Sequence, residues 1–83
     1  MADEEGLLNG SFIFEDGSKY EGEYSLIDEM KIRSGKGVYS SGPEQYDGYW
    51  SNDKMSGTGV YKFANGAVYV GEFQDGMFNG QVF

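Results

Sequence analysis

The sequence predicts an all-β fold, an elongated and twisted single-layer meander of about six or seven antiparallel strands. Three observations predict it. A Tyr-x-Gly-x-aromatic segment recurs three times in 83 residues, Asp-Gly and Asn-Gly pairs stand between the recurring segments, and 14 glycines accompany an aromatic content of 17%. Disordered glycine-rich linkers are poor in aromatic residues. Glycine beside aromatic residues at fixed spacing therefore indicates packed β structure.

The first recurring segment occupies residues 20–24, 46–50 and 69–73, which read YEGEY, YDGYW and YVGEF. Alternate residues of a strand share a face, so each copy places two aromatic residues and the glycine between them on one side of the sheet. We expect the other side to be solvated, and it receives the acidic residues Glu21, Glu23, Asp47 and Glu72.

The second recurring segment reads GTGVYKF at residues 57–63, GKGVY at 35–39 and, in its latter half, NGSFIF at 9–14. The period of two puts its glycines and its aromatic residues on the same side as the rings of the first segment. We expect these glycines, which lack a Cβ, to leave slots in which neighbouring rings lie flat.

The connections agree with a meander. Asp16-Gly17, Asn65-Gly66 and Asp75-Gly76 are pairs that tight hairpin turns favour, and Asn52-Asp53 takes the place of Asp75-Gly76 one repeat earlier. Such turns need a positive φ at both central residues, so we predict two left-handed residues at each of these pairs.

The hairpin tip over residues 25–34 is four residues longer than its counterparts after Trp50 and Phe73. Its apolar residues either fold back onto the end of the sheet or form a secondary contact loop beside the basic residues Lys31, Arg33 and Lys36. The apolar residues concerned are Leu26, Ile27, Met30 and Ile32.

Composition excludes several classes of function. The chain has no Cys and no His, which removes disulfides, thiolate metal sites and imidazole catalysis. A net charge of −8 disfavours nucleic acids and makes membrane binding an unfavoured expectation. No calcium loop, phosphate loop or paired catalytic carboxylates are recognisable. We therefore expect a non-enzymatic intracellular module without catalytic residues, cofactor or metal.

The repeats divide the chain into an acidic, flexible head over residues 1–9 and a repeat domain over 10–83. The units run over about 20–45, 46–68 and 69–83, and the last is incomplete. The final strand around residues 80–83 is either the end of a fragment or an open edge through which a partner strand or a second copy associates.

A single-layer sheet has no second layer to cover its aromatic side. We therefore predict that part of this side remains a groove that docks a protein partner, as a helix or an extended peptide. The predicted partner-binding residues are Tyr20, Tyr24, Tyr46, Trp50, Tyr61, Phe63, Tyr69 and Phe73.

Taken together, the pattern resembles the MORN repeat over residues 10–83, and the stretch 50–80 is similar to small animal MORN-repeat proteins of sperm and motile cilia. The matching residues are Tyr46, Gly48, Trp50, Gly57, Gly59, Tyr61, Gly66, Tyr69, Gly71, Phe73, Gly76 and Gly80. The resemblance implies a scaffold without enzyme activity, acting in the cytoplasm, a cilium or flagellum, or an acrosomal vesicle. The alternative that it leaves open is a peripheral membrane module that binds phosphoinositide.

Overall fold

The computed structural model describes residues 7–82, with side chains described over residues 7–77. These residues form seven strands in one open sheet, in which every strand pairs antiparallel with its neighbours in sequence. The strands are β1 (Leu7–Ile13), β2 (Lys19–Ile27), β3 (Met30–Ser41), β4 (Glu44–Ser51), β5 (Lys54–Lys62), β6 (Val68–Gln74) and β7 (Met77–Val82). The predicted all-β single-layer meander is confirmed.

The sheet measures 36 × 28 × 16 Å along its principal axes. Within the described part of the chain, no helix is long and apolar enough to cross a membrane. The predicted flexible head lies mostly outside the described residues, although Leu7–Asn9 belong to β1. Phe83, the last residue of the predicted open edge, also lies outside them.

The connections differ between the two ends of the sheet, and β3 joins β4 through a two-residue turn over Gly42 and Pro43 in which only the glycine has positive φ. At one end of the sheet, two-residue turns join β2 to β3, β4 to β5 and β6 to β7, and both residues of each have positive φ. These are Asp28 and Glu29, Asn52 and Asp53, and Asp75 and Gly76. The left-handed turns predicted at 52–53 and 75–76 are therefore confirmed.

At the other end, the prediction of two left-handed residues is wrong at Asp16-Gly17 and Asn65-Gly66, where only the glycine has positive φ. Each pair belongs to a three-residue loop closed by two backbone hydrogen bonds, such as Gly17 N to Phe14 O (2.9 Å) and Phe14 N to Ser18 O (2.8 Å). The Asp16 carboxylate accepts the Ser18 amide (2.9 Å), so its side chain completes the loop without a left-handed backbone.

The region over residues 25–34 differs from the prediction that its apolar residues fold back onto the end of the sheet. Its residues continue the β2–β3 ladder to the turn at Asp28 and Glu29. Leu26, Ile27 and Met30 are each more than half exposed. The additional residues therefore lengthen the two strands and do not fold back as a covering segment.

The hairpins β2–β3, β4–β5 and β6–β7 each contain a register shift at the same point of the repeat. Gly48 pairs with Gly59, but the next residue, Tyr49, pairs with Ser56, so Gly57 and Thr58 are left over on β5. Equivalent shifts occur in β2–β3 and β6–β7. Gly57 has φ +71°, a conformation that suits glycine. The first glycine of Gly-x-Gly is therefore the bulge residue.

The core is a row of aromatic rings that crosses the sheet on one side, here called the ring face. Tyr20, Tyr46, Trp50, Tyr69 and Phe73 are at most 7% exposed. Consecutive rings meet edge to face, with centroids 5.4 Å apart for Tyr20–Trp50, 5.2 Å for Trp50–Tyr46 and 4.8 Å for Tyr46–Phe73. Because each ring covers the next, this row buries itself without a second layer.

Candidate interaction groove

The tyrosine that opens each copy of the first segment is anchored to its own strand. The Tyr46 hydroxyl donates to the carbonyl of Tyr49 (2.9 Å), and Tyr69 donates to that of Glu72 (2.9 Å). Tyr20 makes the same hydrogen bond to Glu23. The accepting carbonyl belongs to the residue opposite the bulge, so the hydroxyl satisfies a group at the point where the ladder is interrupted.

The second glycine of Gly-x-Gly lies beneath the ring of that tyrosine. A Cβ on Gly59 would lie 2.5 Å from both Cε1 and the hydroxyl oxygen of Tyr46, and a Cβ on Gly37 would collide with the Tyr20 ring. The predicted slots for flat rings are confirmed. This burial raises the pKa of Tyr20 and of Tyr46 to about 12, so both phenols are neutral donors at physiological pH.

One cation lies among the rings. The Arg33 guanidinium lies 4.4 Å from the centre of the Trp50 ring and within 5.5 Å of the Tyr39 and Phe14 rings. Its Nε donates to Asp53 Oδ1 (2.7 Å) and its Nη2 donates to the Asp53 carbonyl (3.1 Å). Because Asp53 neutralises the guanidinium, the cation can remain 18% exposed against aromatic faces.

Asp53 keeps its charge in this pair. Partial burial alone would raise the pKa of Asp53, but the hydrogen bonds from the Arg33 side chain and backbone outweigh it and hold the pKa below its ordinary value of 3.8. Backbone hydrogen bonds reinforce the pair in both directions, Arg33 N to Asp53 Oδ1 (3.0 Å) and Asp53 N to Arg33 O (2.9 Å). The pair therefore fixes the β2–β3 hairpin to the β4–β5 turn.

Two depressions of about 230 and 260 Å³ adjoin Arg33 on the ring face. We call them together the ring-face groove, because both are lined by Arg33 and Tyr39. The first also contacts Phe14, Asp16 and Ser18, and the second contacts Trp50, Asp53, Lys54, Met55, Tyr61 and Gly76. The groove is thus lined by aromatic rings, by Met55 and by the Arg33–Asp53 pair.

The eight predicted partner-binding residues all lie on the ring face, but their exposure differs. Tyr20, Tyr46, Trp50, Tyr69 and Phe73 form the buried row, whereas Tyr24, Tyr61 and Phe63 are half-buried. Trp50 and Tyr61 line the groove, and Phe63 packs against Tyr61 with ring centroids 4.9 Å apart. Tyr24 contacts Phe12 near the β1 edge, outside the groove. Their role in docking stays a prediction.

Several groove residues were not predicted from the sequence as binding residues. They are Phe14, Arg33, Tyr39, Asp53 and Met55. The signal for Tyr39 was present, since it pairs directly with Tyr46 as Tyr61 does on the next hairpin. No sequence pattern marks the Arg33–Asp53 pair, whose members stand 20 positions apart.

The opposite face is less acidic than expected. Glu21, Asp47 and Glu72 are exposed there, as predicted. A row of aliphatic residues runs between them, because Val38 pairs with Asp47, Asp47 with Val60, and Val60 with Val70. Val60 and Val70, together with Tyr49 (50% exposed) and Lys36, border an open depression of about 330 Å³.

The repeat defined by these bulges, slots and rings matches a known family. The model of the MORN repeat matches three segments of the chain, residues 30–43, 46–68 and 69–81, which together cover more than half of it. The chain belongs to the MORN repeat family. Repeats of this family generally mediate protein or membrane interactions and are known as non-catalytic modules.

Curated relatives of this MORN chain include Alsin of Homo sapiens, Mus musculus and Rattus norvegicus. Each is 49% identical over 37 residues, which are 45% of this chain. The chain covers about 2% of the length of these relatives. The likeness is therefore to one stretch of MORN sequence in a much larger protein.

Proposed function

We propose that this MORN chain is a non-catalytic scaffold that docks a helix or an extended peptide of a partner protein in the ring-face groove. The observation that carries the proposal is the contrast in burial along the ring face. Five rings are covered by one another, whereas Tyr39, Tyr61 and Met55 are only half-buried where they line the groove.

The buried rings and the half-buried rings have different tasks in this proposal. Tyr20 and Tyr46 are 0% exposed and are not among the residues that line the groove, so they do not touch the partner. Trp50, at 6% exposed, presents only its groove edge. Direct contact falls to Tyr61 and Phe63, with Tyr39 and Met55 beside them. Tyrosine and methionine suit such a surface, because one combines packing with a hydrogen bond and the other adapts its shape.

Two tyrosine truncations on opposite faces test the proposal. Tyr61→Ala removes a groove ring, and Tyr49→Ala removes a ring of equal size from the opposite face. We expect Tyr61→Ala to weaken capture of the partner about 30-fold, the effect of losing a contact worth about 2 kcal/mol. Tyr49→Ala leaves capture within about twofold.

Proteins captured by the wild-type chain are identified and quantified by mass spectrometry, and circular dichroism verifies that each variant is folded. Tyr61→Phe is the matched control, because it keeps the aromatic ring, and we expect it to retain capture of the partner. Capture that depends on Tyr49, or on neither tyrosine, contradicts the proposal.

The alternative function, binding to a membrane, predicts that the chain associates with anionic lipid vesicles. Binding to phosphoinositide requires a basic surface, whereas the chain carries a net charge of −8. We expect no co-sedimentation with phosphatidylcholine vesicles that contain phosphatidylinositol bisphosphate, at low or physiological salt. Co-sedimentation that Lys36→Gln or Lys62→Gln abolishes would support the alternative function instead.

Two finer features of the proposal rest on the sequence pattern. From the similarity to small MORN proteins of sperm and motile cilia we propose that the chain acts in a cilium or flagellum, an acrosomal vesicle or the cytoplasm. A fluorescently tagged chain in ciliated cells tests this. Association of two copies through the β7 edge is tested by light scattering on the isolated chain.

The exposed residues of the β2–β3 tip (Leu26, Ile27 and Met30) and the half-buried Ile32 remain a proposed secondary contact.

A further inference from the structure

We infer that the partner segment is basic and amphipathic, with its apolar side in the ring-face groove and Lys or Arg along its flanks. The inference rests on the proposed docking in this groove and adds the chemistry that selects the partner. The inference depends on where the charged residues lie around the groove. The sequence pattern does not show this placement, which arises because the turns of the meander gather at two ends of the sheet.

The opposite face is close to electrically balanced. The alternation of side chains along the strands places four carboxylates and three lysines on this face. The Nζ of Lys36 and the Oδ1 of Asp47 lie 4.0 Å apart. The residues concerned are Glu21, Glu23, Asp47, Glu72, Lys19, Lys36 and Lys62. This face therefore favours neither a positively nor a negatively charged partner.

Acidic residues stand in or beside the turns at both ends of the sheet. At the end with the three-residue loops stand Glu15, Asp16 and Glu44, and at the end with the two-residue turns stand Asp28, Glu29, Asp53 and Asp75. We call these two groups the acidic rims. Three members touch the groove or its wall, because Asp16 and Asp53 line it and Glu44 accepts a hydrogen bond from Tyr61 (3.0 Å).

The cations on this side do not offset the rims. Arg33 is paired with Asp53, and Lys31 Nζ lies 5.0 Å above the Phe12 ring. Lys54 is the third cation and borders the groove. With the Arg33–Asp53 pair set aside, six carboxylates of the rims face two cations, Lys31 and Lys54.

The spacing of the rims fits a helix that lies across the strands. The eight residues of β4 span about 25 Å between the two rims. A helix is about 11 Å wide with its side chains, which leaves about 7 Å on each flank. Long Lys and Arg side chains reach across such a gap while their stems pack on apolar surface.

Two synthetic peptides of about 18 residues, long enough to be helical, serve as probes. They share one amphipathic pattern, with leucine on the apolar side and either lysine or glutamate on the polar side. Trp50 is the single tryptophan of the chain and lines the groove, so its fluorescence reports occupancy there. We expect the leucine–lysine peptide to change the Trp50 emission, with an affinity that falls as salt rises, and the leucine–glutamate peptide to leave it unchanged.

Two triple variants with equal changes of charge separate the rims from net charge. The rim variant is Glu15→Gln, Glu44→Gln and Asp75→Asn, and the control is Glu21→Gln, Asp47→Asn and Glu72→Gln on the opposite face. We expect the rim variant to weaken the leucine–lysine peptide about tenfold, from about twofold for each exposed ion pair. The control changes its affinity less than about twofold.

Equal weakening by the two triple variants would overturn the inference, because net charge alone would then explain binding. Binding of the leucine–glutamate peptide in the groove would also overturn it, while leaving docking in the groove intact. If neither peptide changes the Trp50 emission, the inference is overturned, and the Tyr61→Ala capture experiment separately decides the proposed function.

Discussion

Each glycine of the Gly-x-Gly pair performs one physical task. Gly57 adopts the left-handed backbone of the bulge, and Gly59 leaves room for the Tyr46 ring. The ring in turn places its hydroxyl on the carbonyl of Tyr49. Bulge, slot and hydrogen bond therefore depend on one another, and this dependence explains why the three features recur together.

Gly59→Ala tests the slot. The added methyl would meet Tyr46, one of the two fully buried rings, so we expect the free energy of unfolding to fall by about 2 kcal/mol or more. Gly10→Ala is the matched control, because its Cβ would meet only the half-buried Tyr24 ring, at 3.2 Å. Urea denaturation measures both, and equal losses would contradict the slot.

Asp53→Asn tests the ion pair through pH. The pKa of Asp53 is lower in the folded chain than its ordinary value of 3.8, so its stabilising effect is complete above about pH 4 and is lost as the pH falls. We expect wild type to exceed the variant by about 0.5–1 kcal/mol at pH 7, since the carboxylate is partly exposed.

Thermal unfolding from pH 7 to pH 2.5 measures this difference, and the wild-type advantage should shrink below pH 4. Asp47→Asn, on the opposite face, is the control. A difference between wild type and Asp53→Asn that stays constant down to pH 2.5 would show that the carboxylate charge does not stabilise the fold.

Among the structural elements, the two kinds of connection decide how the hairpins close. The two-residue turns at 28–29, 52–53 and 75–76 use left-handed residues, and in two of them a left-handed aspartate or asparagine is followed by a second left-handed residue that is not glycine. The three-residue loops use one glycine and a side-chain acceptor. Since left-handed non-glycine residues carry a conformational cost, the two-residue turns hold strain that the loops avoid.

Glu29→Gly tests this strain. Glu29 has φ +68°, and glycine accepts that conformation without a steric penalty. We expect the variant to be more stable by about 0.5–1 kcal/mol, the steric relief less the greater entropy of glycine. Glu15→Gly makes the same change in a three-residue loop at a residue without positive φ, and we expect it to lower stability. Loss of stability in both variants would contradict the account of the turns.

The strands and the ring face could be predicted because the three copies of the repeat have aromatic residues and glycines at the same positions. The alternation within any one copy shows that these residues share one side of the sheet. The type of loop at Asp16-Gly17 could not be predicted, because an Asp-Gly pair suits both a two-residue turn and the three-residue loop that Ser18 completes. The Arg33–Asp53 pair could not either, since it joins two hairpins with no local pattern. The valines opposite the rings were overlooked because the acidic residues between them dominate the sequence.

At the scale of the whole molecule, the single-layer sheet divides its functions between two faces and two ends. Rings cover one another on the ring face and leave the groove where Tyr39 and Tyr61 are half-buried. The turns at both ends carry six of the eleven acidic residues that the structure describes, whereas the opposite face is close to balanced. The same meander topology thus provides the core, the groove and the electrostatic border of the groove.

The most direct test of this account is an amide and side-chain NMR titration of the ¹⁵N-labelled chain with the captured partner segment. The account predicts that shifts concentrate at the Trp50 indole N–H, the Arg33 Nε–H and the amides of Tyr39, Met55 and Tyr61. The amides of Asp47, Val60 and Val70 should stay in place. Shifts centred on those opposite-face amides, with the Trp50 and Arg33 signals unmoved, would contradict it.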